Sequence, residues 1–211
     1  MMFRAAALTA LLLATPWSPA LAEVATPEIK IDIDLSSTED RAKRARELLQ
    51  TLRERRDLAR FEFTKRVRIA PNEIPHSHPI LTINTFAIEN ENKFLSTYLH
   101  EQVHWYLHDH RRPQLAKAIA LLKKRYPEVP SPKSERARDE YSIYLHLVVN
   151  WLEIDAMSQV IGRDPALRVF ERPVAYRWIY RTVIKDWDLI GSVLRDTGVA
   201  PMPDARKVSL R

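Results

Sequence analysis

The chain contains no cysteine, and this absence narrows the chemistry available to it. Disulfide bonds cannot form, and a bound metal ion must take its ligands from histidine and carboxylate side chains. Structural zinc sites built from cysteine are therefore excluded. If a metal motif occurs in this chain, we expect a catalytic site rather than a structural one.

Long apolar runs are also scarce, and the one that exists lies at the N-terminus. Arg4 precedes an apolar stretch at residues 5–14, which is too short to span a bilayer. Ala20-Leu21-Ala22 then forms an A-x-A-like cleavage site. This order predicts a secretory signal peptide over residues 1–22, the alternative being an uncleaved anchor. We expect a periplasmic or secreted protein with no stable membrane insertion after cleavage.

Blocks of one charge sign are missing as well. The net charge is +6, but basic and acidic residues alternate along 39–60 and 135–140, as on solvated helix faces. No basic block is interleaved with aromatic residues, so we expect no nucleic-acid partner. The 189 residues after the signal (211 minus 22) suit one domain, residues 23–211.

The sequence His100-Glu101-Gln102-Val103-His104 is an H-E-x-x-H motif. On a helix, His100 and His104 lie on one face, about 6 Å apart along the axis, so both imidazoles can reach one metal ion. Glu101 lies about 100° round the helix, beside the metal but not bound to it. Two nitrogen ligands, an open position for water and a carboxylate base are what metal-assisted hydrolysis needs. The alternative is a helix whose histidines are merely solvated.

Hydrophobic periodicity predicts an α+β fold that is mostly helical. A small antiparallel sheet, formed by strands at 61–69 and 80–86, should pack against the motif helix and a long downstream helix. The N-terminal arm at 23–35 is predicted to be loose or to form a short strand. The predicted helices cover 38–59, 92–109, 114–125, 134–161 and 173–197, with a break allowed near Asp186.

The long helix carries the candidates for a third ligand, since catalytic zinc usually has three protein ligands. His146, Asn150 and Glu153 share one face among apolar neighbours, and buried polar groups need partners. We expect Glu153 to bind Zn²⁺ with His100 and His104, and His146 is the alternative. These three residues of the long helix, which we call the polar stripe, could instead hydrogen-bond to other helices or face water.

With these residues, the chain resembles a small zincin metallopeptidase of the gluzincin type, over roughly residues 61–153. The resemblance implies His100 and His104 as zinc ligands, Glu101 as general base and Glu153 as third ligand. It also implies that the strand at 81–86 is an edge to which an extended substrate adds. The sequence departs from the usual gluzincin signature, because Asn150 lies three residues before Glu153 and Met157 stands where an Asp is expected.

The oxyanion formed during hydrolysis also needs a donor, and the candidates are Tyr176, Tyr180 and His146. Arg177-Trp178-Ile179-Tyr180 resembles the R-x-x-Y element of the clostridial neurotoxin zinc peptidases. The sequence therefore predicts an exported zinc metallopeptidase that acts on a peptide or protein substrate. The alternatives are a non-catalytic zincin-like domain that binds a cell-envelope partner, and a helical interaction protein without metal.

Overall fold

The computed structural model describes residues 32–36 and 39–208, so the predicted signal peptide lies outside the described residues. Helices dominate, and a small sheet is built near the start of the chain, as the sequence predicts. The elements in order are β1 (Asp32–Leu35), α1 (Asp40–Arg55), a 3-10 turn (Ala59–Phe61), β2 (Arg66–Ile69), β3 (Leu81–Ile83), α2 (Glu91–His110), α3 (Arg112–Arg125), α4 (Pro132–Glu135), α5 (Glu140–Ile161), α6 (Arg163–Val169), α7 (Arg177–Lys185), α8 (Trp187–Asp196) and a 3-10 turn (Ala205–Lys207).

The sheet is parallel, and the prediction of an antiparallel sheet is wrong. Its order is β1-β2-β3, with Ile33 opposite Val67 and Val67 opposite Leu81. Helix α1 carries the chain back between β1 and β2, as parallel neighbours require. Between β2 and β3, residues 70–80 return along the strands instead of making a hairpin turn. The predicted strand at 61–69 shortens to β2 because residues 59–61 form the 3-10 turn.

The outer side of β3 is partly covered by the chain itself. His76 and Thr82 form an antiparallel bridge, in which each amide donates to the other residue's carbonyl, at 3.1 Å and 2.8 Å. The Trp105 indole of α2 donates to Ser77 O at 2.7 Å and fixes the same loop. The edge that the sequence assigns to substrate addition is therefore paired with His76 at Thr82.

Helix α2 matches the prediction of a helix at 92–109 within one residue at each end. The Asn90 side chain caps it by accepting from Lys93 N at 3.1 Å. No glycine or proline interrupts α2, and most of its buried side chains are apolar. The motif thus lies in the middle of a regular helix, where the spacing of its histidines is fixed.

Helix α5 is the centre of the helical part. It packs against α2, α3, α6, α7 and α8, and nearly all of its side chains from Ser142 to Met157 are buried. A helix that is apolar all round is expected in such a central position. The predicted helix at 134–161 divides into α4 and α5, and α5 ends at Ile161, directly before Gly162, which has a φ of 87°.

The C-terminal helices complete the core. The break near Asp186 is confirmed, because α7 ends at Lys185 and α8 begins at Trp187. Helix α6 was not predicted from the sequence. Among residues 32–36 and 39–208, no helix is both long enough and apolar enough to cross a membrane.

A buried polar network ties α2 to α1 and to the segment before β2. The Glu62 carboxylate, which is fully buried, accepts from Arg53 Nε at 2.8 Å and from the Tyr98 hydroxyl at 2.9 Å. The Gln102 side chain accepts from the amides of Phe63 and Thr64, at 2.8 Å and 3.1 Å. Tyr98 lies two residues before His100, and Gln102 lies between His100 and His104. This network therefore fixes the part of α2 that carries the motif histidines.

Candidate metal centre

Three histidines meet where α2 crosses α5. The ring centroids of His100 and His104 are 5.0 Å apart, and His146 of α5 lies 5.4 Å from the first and 5.3 Å from the second. One ring nitrogen from each residue lies within 4.8 Å of the other two, close enough to hold one metal ion. The structure therefore brings both motif histidines together with His146.

The imidazole of His146 is oriented by its own helix. His146 Nδ1 lies 2.6 Å from the carbonyl oxygen of Ser142. Because a carbonyl oxygen can only accept, Nδ1 carries the proton and Nε2 keeps its lone pair. Burial, followed by the charge of His100, lowers the pKa of His146 to about 3. This ring is therefore neutral at pH 7, which is the state that binds a metal.

Glu153 does not join the three histidines. Its Oε2 lies 2.9 Å from His100 Nδ1 and accepts from the Tyr180 hydroxyl at 2.8 Å, while its Oε1 accepts from the Ser96 hydroxyl at 2.5 Å. The carboxylate that the sequence expects to bind zinc is thus engaged by three neighbours behind His100. With Nδ1–H donating to Glu153, His100 can present its Nε2 lone pair.

The two motif histidines differ in their electrostatic surroundings. Burial lowers the pKa of His100, but the charge and hydrogen bond of Glu153, and the charge of Glu101, raise it above its usual value overall. Burial, followed by the charges of His100 and His146, holds the pKa of His104 well below its usual value. Only His100 has a carboxylate partner, so only His100 is stabilised as a cation.

Glu101 lies beside this cluster and is only 6% exposed. Burial raises the pKa of its carboxyl group to about 7; His100 and His76 oppose this rise, and Glu153 adds to it. A carboxyl group with a pKa near neutrality can both accept and return a proton at physiological pH. Of the candidate residues, Glu101 has the properties of a general base.

Tyr176 covers the cluster from the start of α7. Its ring stacks on His146 with centroids 4.1 Å apart, and its backbone has a left-handed φ of 57°. Glu135 maintains this conformation, because its carbonyl accepts from Tyr176 N at 3.0 Å and its carboxylate accepts from Trp178 N at 2.9 Å. Burial, followed by the charges of Glu101 and Glu153, raises the pKa of Tyr176 to about 12.

Tyr180 is placed differently from Tyr176. It is buried, and its hydroxyl donates to Glu153. Burial, followed by the charge and hydrogen bond of Glu153, raises the pKa of Tyr180 well above its usual value. Of the three oxyanion candidates from the sequence, Tyr180 supports Glu153, and His146 lies in the histidine cluster. Tyr176 stacks over that cluster, and among the described residues no hydrogen bond of its hydroxyl is found.

Asn150 is the remaining member of the polar stripe on α5. It is fully buried, and neither atom of its amide group has a hydrogen-bond partner among the residues described. It shares the face of α5 that carries His146 and Glu153. Burying an amide group without a hydrogen-bond partner costs free energy, and such groups recur at functional sites. Asn150 therefore adds to the evidence that this face of α5 forms part of a functional site.

A second group of possible ligands lies farther along α2. His78, His108 and Asp109 each offer one ligand atom within 4.8 Å of the others. The Arg112 guanidinium, however, lies against both ring nitrogens of His108. A cation bound there would face this positive charge, so the site is less suited to a metal ion than the histidine cluster.

An open cleft of about 580 Å³, which we call the His104 cleft, adjoins the histidine cluster. Its walls come from the loop before β3, from α2 and α3, and from the start of α5. The cleft is lined by Ser77, His78, His104, Leu107, His108, Arg112, Leu115, Ala116, Ile119, Arg138, Tyr141 and Leu145.

Comparisons of the chain with models of known protein families, with curated proteins and with solved structures find no match. The function must therefore be argued from the geometry of the site. Sequence reasoning missed Ser96 and Glu135, because nothing in the local pattern indicates which distant residues they contact. The His104 cleft was missed for the same reason.

Proposed function

We propose that the chain is a zinc-dependent metallopeptidase that hydrolyses peptide bonds. The observation that carries this proposal is the cluster of His100, His104 and His146 with Glu101 beside it. Three imidazoles that can each offer a ring nitrogen, and one nearby carboxyl group whose pKa is about 7, are the parts that metal-assisted hydrolysis requires. The absence of cysteine excludes a thiolate site, so histidine and carboxylate are the ligand types left for zinc.

The residues present fit a zinc ion. His146 has a fixed tautomer that leaves Nε2 free, and three histidines are an established ligand set for catalytic zinc. When bound, zinc supplies a Lewis acid that lowers the pKa of water and polarises a carbonyl group. We assign the third ligand to His146 and give Glu153 the role of holding His100 in place, as carboxylates commonly do behind metal ligands.

The remaining groups supply proton transfer and charge stabilisation. Glu101 takes a proton from the attacking water and returns it to the leaving amine, since its pKa of about 7 suits both steps. Tyr176, whose ring stacks on His146, donates from its hydroxyl to the developing oxyanion. Burial and the nearby carboxylates raise the pKa of Tyr176 to about 12, so this hydroxyl keeps its proton at neutral pH.

The proposal differs from the gluzincin pattern in one respect. In that pattern a glutamate of the second helix is the third ligand. Here the glutamate supports His100, and a histidine about two turns before it on α5 belongs to the cluster. We also propose that the protein is exported, on the basis of the segment order in residues 1–22.

The test is a joint measurement of metal content and hydrolysis. The protein is purified without chelators, its metals are counted, and a mixture of peptides is incubated with it and read by mass spectrometry. We expect about one zinc per chain and cleavage that chelators abolish. Protein without metal would instead favour a helical interaction protein. Zinc without cleavage would favour a non-catalytic domain that binds a cell-envelope partner.

A further inference from the structure

The His104 cleft combines an apolar floor with a positively charged rim. We propose that it binds the part of a substrate in which a large apolar side chain stands next to a carboxylate group. This inference rests on the proposed peptidase function and adds to it the class of substrate. The carboxylate could be the C-terminus of a peptide that ends in an apolar residue, or the side chain of Asp or Glu beside an apolar residue.

The floor of the cleft is formed by side chains without polar groups. They are Leu107 of α2, Leu115, Ala116 and Ile119 of α3, and Leu145 of α5. The cleft volume of about 580 Å³ lies within the range of sites that enclose small ligands. An apolar side chain that enters it is removed from water, which favours binding.

The rim carries positive charge, and no acidic residue lines the cleft. Arg112 and Arg138 are both lining residues. Arg112 donates from Nε and Nη2 to His108, and Arg138 donates from Nε to Asp139. Among the described residues, Arg112 Nη1 and both Nη groups of Arg138 have no partner. These guanidinium donors can bind a carboxylate, and Arg suits this geometry well.

Each of the two acidic residues nearest the rim contacts a lining residue, Asp109 contacting His108 and Asp139 contacting Arg138. Asp109 lies 2.5 Å from His108 Nδ1, and Asp139 accepts from Ser142 N at 2.7 Å where it caps α5. Neither residue lines the cleft. The lining therefore offers guanidinium donors to an anionic group and no carboxylate to a basic one.

The cleft is continuous with the histidine cluster. His104 belongs to both, and Leu145 of the cleft lining directly precedes His146 on α5. A peptide bond placed at the cluster would have its neighbouring side chain within reach of the cleft.

The experiment measures peptide binding, not turnover, with zinc-loaded Glu101→Gln protein. Three peptides end in a single Phe. Two have the same sequence, one with a free C-terminal carboxylate and one amidated, and the third is the amidated peptide with Glu in place of the residue beside the Phe. We expect at least about tenfold tighter binding of one or both acidic peptides than of the neutral amide. The two acidic peptides separate a terminal carboxylate from a side-chain carboxylate.

Two cleft variants and one control identify the groups responsible. Arg112→Gln and Arg138→Gln should remove most of the preference for carboxylate and leave the binding of the neutral peptide unchanged. Lys117→Gln removes the same charge from an exposed position on α3 outside the cleft, and it should keep the preference. Ala116→Phe fills the floor from an exposed position and should weaken binding of all three peptides.

The outcomes separate the two proposals. Equal binding of the acidic and neutral peptides, or no binding by any of them, would overturn the cleft proposal. A preference that survives in both Arg variants would overturn it as well. If wild-type protein shows the preference but cleaves no peptide, the peptidase proposal fails and the cleft proposal stands. Circular dichroism and metal content of each variant confirm that its fold and zinc site are intact.

Discussion

His100 Nδ1 and Glu153 Oε2 lie 2.9 Å apart, joining the motif helix α2 to the central helix α5. The contact fixes the imidazole ring of His100, because Glu153 is itself held by Ser96 and Tyr180. A carboxylate that accepts from a ligand histidine orients the ring and makes it a better ligand. Glu153 and His146 therefore have separable roles.

Replacing His146 and Glu153 one at a time tests these roles. We expect His146→Ala to lose zinc at stoichiometric protein concentration, since one of three ligands is removed. Glu153→Ala should still bind zinc, with an affinity lower by about 10–100-fold, the usual effect of removing a partner behind a ligand. Zinc titration with a competing chelator measures both affinities.

The opposite order of effects would reverse the assignment. If Glu153→Ala lost zinc while His146→Ala kept wild-type affinity, Glu153 would be the third ligand, as the sequence alone suggests. His108, farther along α2, offers a control at a histidine outside the cluster. His108→Ala should leave zinc affinity unchanged.

Glu101→Gln should preserve fold and zinc content but reduce hydrolysis by at least about 10²-fold. Glutamine is nearly isosteric with glutamate and cannot take a proton from water. Peptide cleavage by the zinc-loaded variant, measured by mass spectrometry, is the readout. Cleavage at the wild-type rate would refute the role of Glu101, whatever the metal content.

The two tyrosines should respond differently to loss of the hydroxyl group. Tyr176→Phe should lower kcat by about 10²-fold with little change in KM or zinc affinity, because its hydroxyl is assigned to the oxyanion. Tyr180→Phe removes a donor to Glu153 and should act chiefly by weakening zinc binding. A drop in kcat at full zinc loading in Tyr180→Phe alone would move the oxyanion role to Tyr180.

The buried Glu62 carboxylate predicts a pH dependence of stability. Burial raises the pKa of Glu62 above its usual value, and the opposing effects of Arg53 and Tyr98 do not cancel this rise. A raised folded-state pKa means that stability is fully present below the unfolded-state pKa and is lost as pH rises through the folded-state pKa. A tenfold difference in proton affinity between the folded and unfolded states corresponds to about 1.4 kcal/mol of stability.

We therefore compare urea unfolding of wild type and Glu62→Gln between pH 4 and pH 8. The free energy of unfolding of wild type, relative to the variant, should fall as the pH rises through this window. Glu54→Gln, at an exposed position on α1, controls for the general loss of one carboxylate. A wild-type advantage that grew with pH would mean that the Arg53 ion pair outweighs burial.

The export proposal predicts the mass of the mature protein. Cleavage after Ala22 should give a chain that begins at Glu23, and it should be recovered in the soluble fraction of the host envelope or medium. Bulky residues at positions 20 and 22 should block cleavage, because the site requires small side chains there. A full-length chain in the membrane fraction of the wild type would contradict cleavage without affecting the zinc site.

The sequence predicts α2 well because its signals are local. No glycine or proline interrupts the helix, and the spacing of His100 and His104 follows directly from helical geometry. The direction of the sheet strands is not local. Residues 70–80 carry turn-forming prolines, but these do not determine whether β3 runs antiparallel or parallel to β2.

The choice between His146 and Glu153 was also beyond the sequence. Both lie on one face of α5, about 10 Å apart along the axis, so the periodicity places them equally well toward α2. Whether His146 or Glu153 lies beside both motif histidines depends on the position along α5 at which it crosses α2. Many core side chains together determine that position. The polar stripe identifies the helix face but not the ligand.

The histidines of the cluster come from two helices that are well separated along the chain. A metal ion held by His100, His104 and His146 would therefore cross-link α2 to α5, in a chain that has no cysteine for a disulfide. Since such an ion binds the folded state, its concentration contributes to stability, by about 4 kcal/mol at a thousandfold excess over the dissociation constant. The folded fraction of this protein would then depend on the zinc supply of its compartment.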